Sequence, residues 1–118
     1  MKPVLVLDDD EGNRRIASLS LRSAGYEVLE ADNGADGLHD LQEYDTALVV
    51  LDLNMPGMNG EAFFRAARSQ GYEGPVLIVS AYGAEAAQRR LPAQDYLNKP
   101  FDTDVLVDKV RDLVGTAN

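Results

Sequence analysis

Three runs of aliphatic residues restrict the fold more than any other feature: VLVL at 4–7, LVVL at 48–51 and VLIV at 76–79. None alternates with polar residues, so each reads as a strand buried on both faces. Each run ends on a polar group: Asp8 and Asp9 after the first, Asp52 after the second, Ser80 after the third. Between them lie segments whose apolar residues recur at helical spacing. Fully buried strands alternating with amphipathic helices call for a parallel sheet covered on both faces, wound by right-handed crossovers.

The pattern predicts strands over 3–8, 26–31, 46–52, 75–80 and 94–98, with helices over 11–24, 35–43, 60–70, 83–91 and 102–115. The first helix is expected to turn Ile16, Ala17, Leu21 and Ala24 to one side. The third presents Phe63, Phe64 and Ala67, and the last Leu106, Val110 and Leu113. Gly25 and Gly115 are natural helix stops, and Pro92 must end a short, Ala-rich fourth helix. This is an α/β chain: a doubly wound, five-stranded parallel sheet with helices on both faces. Residues 1–118 read as one domain, without repeat, low-complexity segment or linker.

Composition narrows the function. Apolar residues make up 45% of the chain, enough for one core. No apolar run approaches the roughly 20 residues that span a bilayer, and PVLVL runs straight into acid, unlike a signal peptide. A cytoplasmic protein is expected. With no cysteine there is no disulfide and no thiolate chemistry. The net charge of −9 repels nucleic acid and membrane phosphates and favours cations and basic partner surfaces. The glycine motifs of P-loop and dinucleotide-binding folds are missing.

Ligands of an open parallel sheet bind beyond the carboxyl ends of its strands. The fold therefore gathers Asp8, Asp9, Asp52, Ser80 and Lys99, which are far apart in sequence, at one edge. Three converging carboxylates form an oxygen cage for a hard divalent cation. Mg2+ suits it, since that ion keeps waters and adds phosphate oxygens. Without a cation their repulsion raises at least one pKa or spreads the side chains. Asp10 is assigned to the first loop, as a solvated acid or a helix N-cap. His39, on the second helix, reads as a surface residue.

Two motifs, LDLNMPGMNG (51–60) and DYLNKPF (95–101), sharpen this reading. With LVLDDD (5–10) and VSA (79–81), the chain resembles, over its whole length, the receiver domain of two-component response regulators. The resemblance implies a flavodoxin-like strand order, 2-1-3-4-5. It implies Asp52 as phospho-acceptor and Asp8 and Asp9 as the acidic pair. Asp9 and Asp52 would hold Mg2+ (or Mn2+) directly, Asp8 largely through water, and the Asn54 backbone carbonyl would be a further ligand. Ser80 matches the switch hydroxyl, Lys99 the active-site lysine and Tyr96 the switch aromatic, and the Lys99–Pro100 peptide would be cis. Tyr82, two residues past Ser80, is expected to overhang the phosphoryl site and slow attack by water, and Asn54 is expected to modulate the phosphoryl lifetime with it.

The implied partners are a histidine kinase or histidine phosphotransfer protein and a downstream protein target. No direct nucleic acid or membrane contact is implied, and a monomer or weak dimer is expected. The chain would be a switch that phosphorylates itself and loses the group slowly, not a turnover enzyme. The competing reading is a Mg2+-dependent phosphatase or phosphotransferase with an aspartyl nucleophile. Such enzymes often carry D-x-D, whereas Leu53 and Asn54 follow Asp52, and 118 residues leave no substrate cap. A pure interaction module would not need the intact set of Asp8, Asp9, Asp52, Ser80 and Lys99. Departures from the family pattern are the short fourth helix, Pro92–Ala93 in place of Gly–Ala, and Ser80 in place of the commoner Thr. Met1 just before the first strand fits a native start, although an added Met would look the same. A free-standing receiver and one excised from a longer regulator or hybrid kinase both stay open.

Overall fold

Each aliphatic run becomes a strand, and each amphipathic segment crosses from one strand to the next. The computed structural model describes residues 2–116 apart from 56, 82 and 92. The elements are β1 (Val4–Leu7), α1 (Glu11–Ser23), β2 (Val28–Ala31), α2 (Gly34–Glu43), β3 (Leu48–Asp52), α3 (Gly60–Ser69), β4 (Val76–Ser80), α4 (Ala84–Arg90), β5 (Asp95–Asn98) and α5 (Thr103–Val114). All strand pairs are parallel, in the order β2-β1-β3-β4-β5. The α/β, doubly wound architecture and the strand order therefore stand as expected.

Every residue of β1, β3 and β4 is buried, which is why these strands lack polar alternation. One face carries Leu5, Leu7, Val49, Leu51, Val76 and Ile78 against Phe63 and Phe64 of α3 and Ala84 and Ala87 of α4. The other carries Val4, Val6, Leu48, Val50, Leu77 and Val79 against Leu21 of α1 and Leu106 and Val110 of α5. Four helices open on Asx caps: the carboxylates or amides of Asp10, Asn33, Asn59 and Asp102 accept from the backbone N–H of Asn13, Asp36, Ala62 and Asp104. Asp10 is thus the helix cap allowed for it.

The first helix corrects one expectation. Its buried side is Ala17, Ser18 and Leu21, while Ile16 and Leu19 stand 52% and 55% exposed. Neighbouring residues on a helix are turned by about 100°, so burying Ala17 and Ser18 swings Ile16 outward. Strand β2 begins at Val28 rather than at 26. Tyr26 before it is buried and donates its hydroxyl to the Gly115 carbonyl at 2.6 Å. The fourth helix is short as expected, at seven residues. It ends ahead of Pro92, which lies outside the described residues. Among the described residues no helix is long and apolar enough to cross a membrane.

Candidate functional site

The β1–β3 register pairs Leu7 with Leu51 and so sets Asp8 beside Asp52. Asp9 follows in the loop. One carboxylate oxygen from each of Asp8, Asp9 and Asp52 lies within 4.8 Å of the other two. Lys99 follows β5, its N–H bonded to the Ser80 carbonyl at 2.9 Å. Alternation along the strands sends Asp8, Asp52 and Lys99 to the α1/α5 side. Lys99 Nζ lies 2.9 Å from Asp8 Oδ2 and 3.5 Å from Asp52 Oδ2.

Charge is finely balanced here. Asp52 is only 3% exposed. Burial, followed by the neighbouring Asp8 charge, pushes its carboxyl up to about 6, against the opposing pull of the Asn54 N–H and Lys99. At Lys99, burial works against the charged form. The hydrogen bond to Asp8 and the charges of Asp8 and Asp52 outweigh it and raise the ammonium pKa. Lys99 therefore stays cationic in the cluster.

The acids fit a hard divalent cation. An octahedral Mg2+ holds oxygens about 2 Å away, so its ligand oxygens lie about 3 to 4 Å from one another, and the metal-free cluster, within 4.8 Å, is close to that spacing. A cation would also favour the ionised form of Asp52, against the burial and the Asp8 charge that raise its pKa.

Ser80 ends β4 with its side chain fully buried. It follows Val76 and Ile78 on the α3/α4 side of the sheet. Its Oγ accepts from Asn54 Nδ2 at 2.9 Å, while the Asn54 N–H donates to Asp52 Oδ1 at 3.1 Å. Asn54 thus touches both residues. The loop that carries it is closed by the Gly60 N–H donating to the Leu53 carbonyl at 3.1 Å. A Cβ at Gly60 would lie 2.5 Å from the Leu53 Cα and 2.7 Å from the Asp52 carbonyl oxygen, so only glycine lets the loop return this closely.

Tyr96 is not part of the acidic cluster. It is half-buried on edge strand β5, opposite Ile78, on the same face as Ser80 and two residues back from Ser80's partner Asn98. The Lys109 ammonium sits 5.9 Å from its ring centre and 3.0 Å from Asp95 Oδ2. The Lys99–Pro100 peptide is cis. Tyr82 lies outside the described residues, and His39 is exposed. The sequence reading passed over Arg14, whose Nη1 donates to the Asp8 carbonyl at 3.0 Å. Its one sequence signal was a cation six residues after Asp8 in an acid-rich stretch.

Residues 4–111 match the model of the response regulator receiver domain family. The chain is 36% identical over 118 residues to the probable transcriptional regulatory protein SilR of Salmonella typhimurium, covering 98% of this chain and 52% of the relative. It is 34% identical over 114 residues to the cell cycle response regulator CtrA of Brucella ovis, covering 94% and 49%. The chain spans about half the length of these curated relatives. Among solved structures, the chemotaxis protein CheY4 of Vibrio cholerae superposes with a TM-score of 0.87 at 30% identity, covering 96% of this chain and 98% of that one. The response regulator TrrA of Thermotoga maritima, solved in complex with Mg2+–BeF, gives a TM-score of 0.86 at 31% identity, covering 96% and 99%. The family match over residues 4–111, the shared fold and the acidic strand-end cluster lead to one assignment: the chain belongs to the response regulator receiver domain family of two-component signalling.

Proposed function

We propose that residues 1–118 form one receiver unit that takes a phosphoryl group from a phosphohistidine onto Asp52 and acts as a switch. The donor is a histidine kinase or histidine phosphotransfer protein. The observation that carries this reading is Asp52 itself, a buried carboxylate at the tip of central strand β3, beside two further acids and an ammonium.

An Asp52 oxygen attacks phosphorus as the P–N bond to the donor imidazole breaks. The nitrogen keeps the bonding pair and takes up a proton, and an acyl phosphate remains on Asp52. Asp9, Asp52 and the Asn54 carbonyl would hold Mg2+ (or Mn2+), with Asp8 acting through water; when bound, the ion would supply neutralisation of the acids and of the phosphoryl oxygens. Lys99 binds one phosphoryl oxygen, and Ser80 with nearby backbone N–H groups binds another. The same residues allow slow hydrolysis, with Asn54 and Tyr82 setting its rate, so the chain is a switch and not a turnover enzyme.

The exposed side of α1 suits the donor. Ile16 and Leu19 form an apolar pair one helical turn apart. Ile16 also lines an open cleft of about 510 Å3 with Asn13, Ala81, Lys99, Pro100 and Phe101. A donor helix seated on this pair brings its histidine to the lysine end of the cleft.

For output, Ser80 exchanges its bond from Asn54 for one to the phosphoryl group, and Tyr96 on the same face moves into the space released. The α4/β5 surface then changes shape for a downstream protein target.

Incubation with MgCl2 and acetyl phosphate or phosphoramidate, followed by intact mass, tests the first step. One phosphoryl group is expected on wild type and none on Asp52→Asn; no uptake by wild type from any donor overturns the reading. Ser80→Ala tests the relay: uptake is expected to persist while the Tyr96 spectral response to phosphorylation disappears. A wild-type Tyr96 response in Ser80→Ala overturns the coupling.

A further inference from the structure

The four polar atoms of Asp8 that could bond are all engaged. Its N–H donates to the Ala31 carbonyl at 3.2 Å, and its Oδ1 accepts from the Asp10 N–H at 2.9 Å. Its Oδ2 accepts from Lys99 at 2.9 Å, and its carbonyl accepts from Arg14 Nη1 at 3.0 Å. The last bond matters most for Asp9. Asp8 is the point where β1 leaves the ladder, so no strand partner fixes the Asp8–Asp9 peptide. A buried carbonyl without a donor is costly. Arg14 supplies that donor from the first turn of α1.

Arg14 is itself held. Its Nε lies 3.4 Å from Glu30 Oε1 on β2, with the Arg14 side chain 17% exposed. Glu30 Oε2 is tied in turn to Arg22 Nη1 at 3.2 Å. A planar guanidinium can serve a carboxylate and a carbonyl at once in fixed directions, which an ammonium cannot. Asp9, in contrast, is exposed, and it directly follows the carbonyl that Arg14 grips.

We infer that Arg14, braced by Glu30, is a positioning residue that aims the Asp8–Asp9 peptide so that Asp9 joins Asp8 and Asp52 around the cation. This rests on the metal-site reading above.

The two physical roles of Arg14 have opposite signs. As a positive charge beside a cation site, its removal should tighten Mg2+ binding. As an aiming device, its removal should weaken it, by about tenfold on the scale seen when groups that orient metal ligands are lost.

Calorimetric titration of the apo protein with MgCl2 separates them, with thermal melts in EDTA to confirm folding. Arg14→Gln is expected to weaken Mg2+ about tenfold, and Arg14→Lys to weaken it although the charge is kept. Arg22→Gln, which also removes a Glu30 partner but does not reach Asp8, is expected to bind as wild type. Equal or tighter Mg2+ binding by folded Arg14→Gln overturns the inference, as does full binding by Arg14→Lys should Arg14→Gln not fold. Failure of wild type itself to bind Mg2+ overturns the site reading along with it.

Discussion

The two faces of the sheet are built differently. The α1/α5 face, which carries Asp8, Asp52 and Lys99 at its edge, is covered by helices of 13 and 12 residues, each opened by an aspartate cap. Leu21, Leu106 and Val110 are fully buried there. The opposite face, which carries Ser80 and Tyr96, includes α4, with only seven residues. That helix starts on Gly83 in the left-handed conformation, without a side chain to cap it, and its own turns insert Ala84 and Ala87 into the core, with Leu91 buried at its C-cap. Methyl groups bury far less area than leucines. The charged cluster thus stands on firmly packed helices, and the residues of the proposed relay stand under a lightly held one. The proposed switch would draw on that division, because moving elements come from the weakly stabilised end of a structure.

Breaking the firm face should have the largest effect. Leu106→Ala is expected to destabilise the fold by about 3 kcal/mol, read from urea melts. A loss near that expected at α4 would erase the contrast.

The charged edge comes next. The folded Asp52 holds its proton up to about 6, whereas its ordinary value is 3.8. The metal-free folded state therefore binds more protons between these values. The stability from this group is present below pH 4 and is lost as pH rises through about 6. Across that window the shift amounts to at most about 3 kcal/mol, at 1.36 kcal/mol per pKa unit. Asp52→Asn is expected to melt higher than wild type at pH 7 without metal and to lose this slope between pH 4 and 6. A wild-type slope in Asp52→Asn would assign the titration to another group.

On the light face, Ala87→Gly should cost about 1.5 kcal/mol through helix propensity and a lost methyl. Amide exchange should rise across α4 while α5 keeps its protection. Equal protection of the two helices in wild type would break the comparison.

The smallest effect belongs to Ser18 on α1. Its Oγ is buried and, among the described residues, stands out as a buried side-chain atom with no hydrogen-bond partner. Ser18→Ala is expected to be neutral or to stabilise by up to about 1 kcal/mol in the same melts.

Much of the fold was legible because period is a local property. VLVL, LVVL and VLIV could not be half-exposed strands, and Asx residues ahead of amphipathic runs mark helix starts. The strand-end acids were legible for the same reason, since a buried parallel strand delivers its terminal side chain to the ligand edge. Three features were not. The outward turn of Ile16 depends on how α1 sits on the sheet, which its own apolar residues do not specify. The Asn54–Ser80 bond spans 26 residues and joins the loop after β3 to the end of β4, so neither motif contains it. Arg14 bonds a backbone carbonyl, an acceptor every residue offers, so a lone cation in an acid-rich stretch was its only trace.

The sequence by itself determined the alternation of buried strands and helices, the shortness of α4, and which side chains end each strand. These follow from hydrophobic period, capping and glycine or proline breaks within a few residues. The tertiary structure alone decided that Asp8, Asp9, Asp52 and Lys99 meet within a few ångströms, that burial and a neighbouring acid raise the Asp52 pKa, and that Asn54 donates to Ser80. Those depend on strand register and on the removal of water, and both exist only once the whole chain has packed.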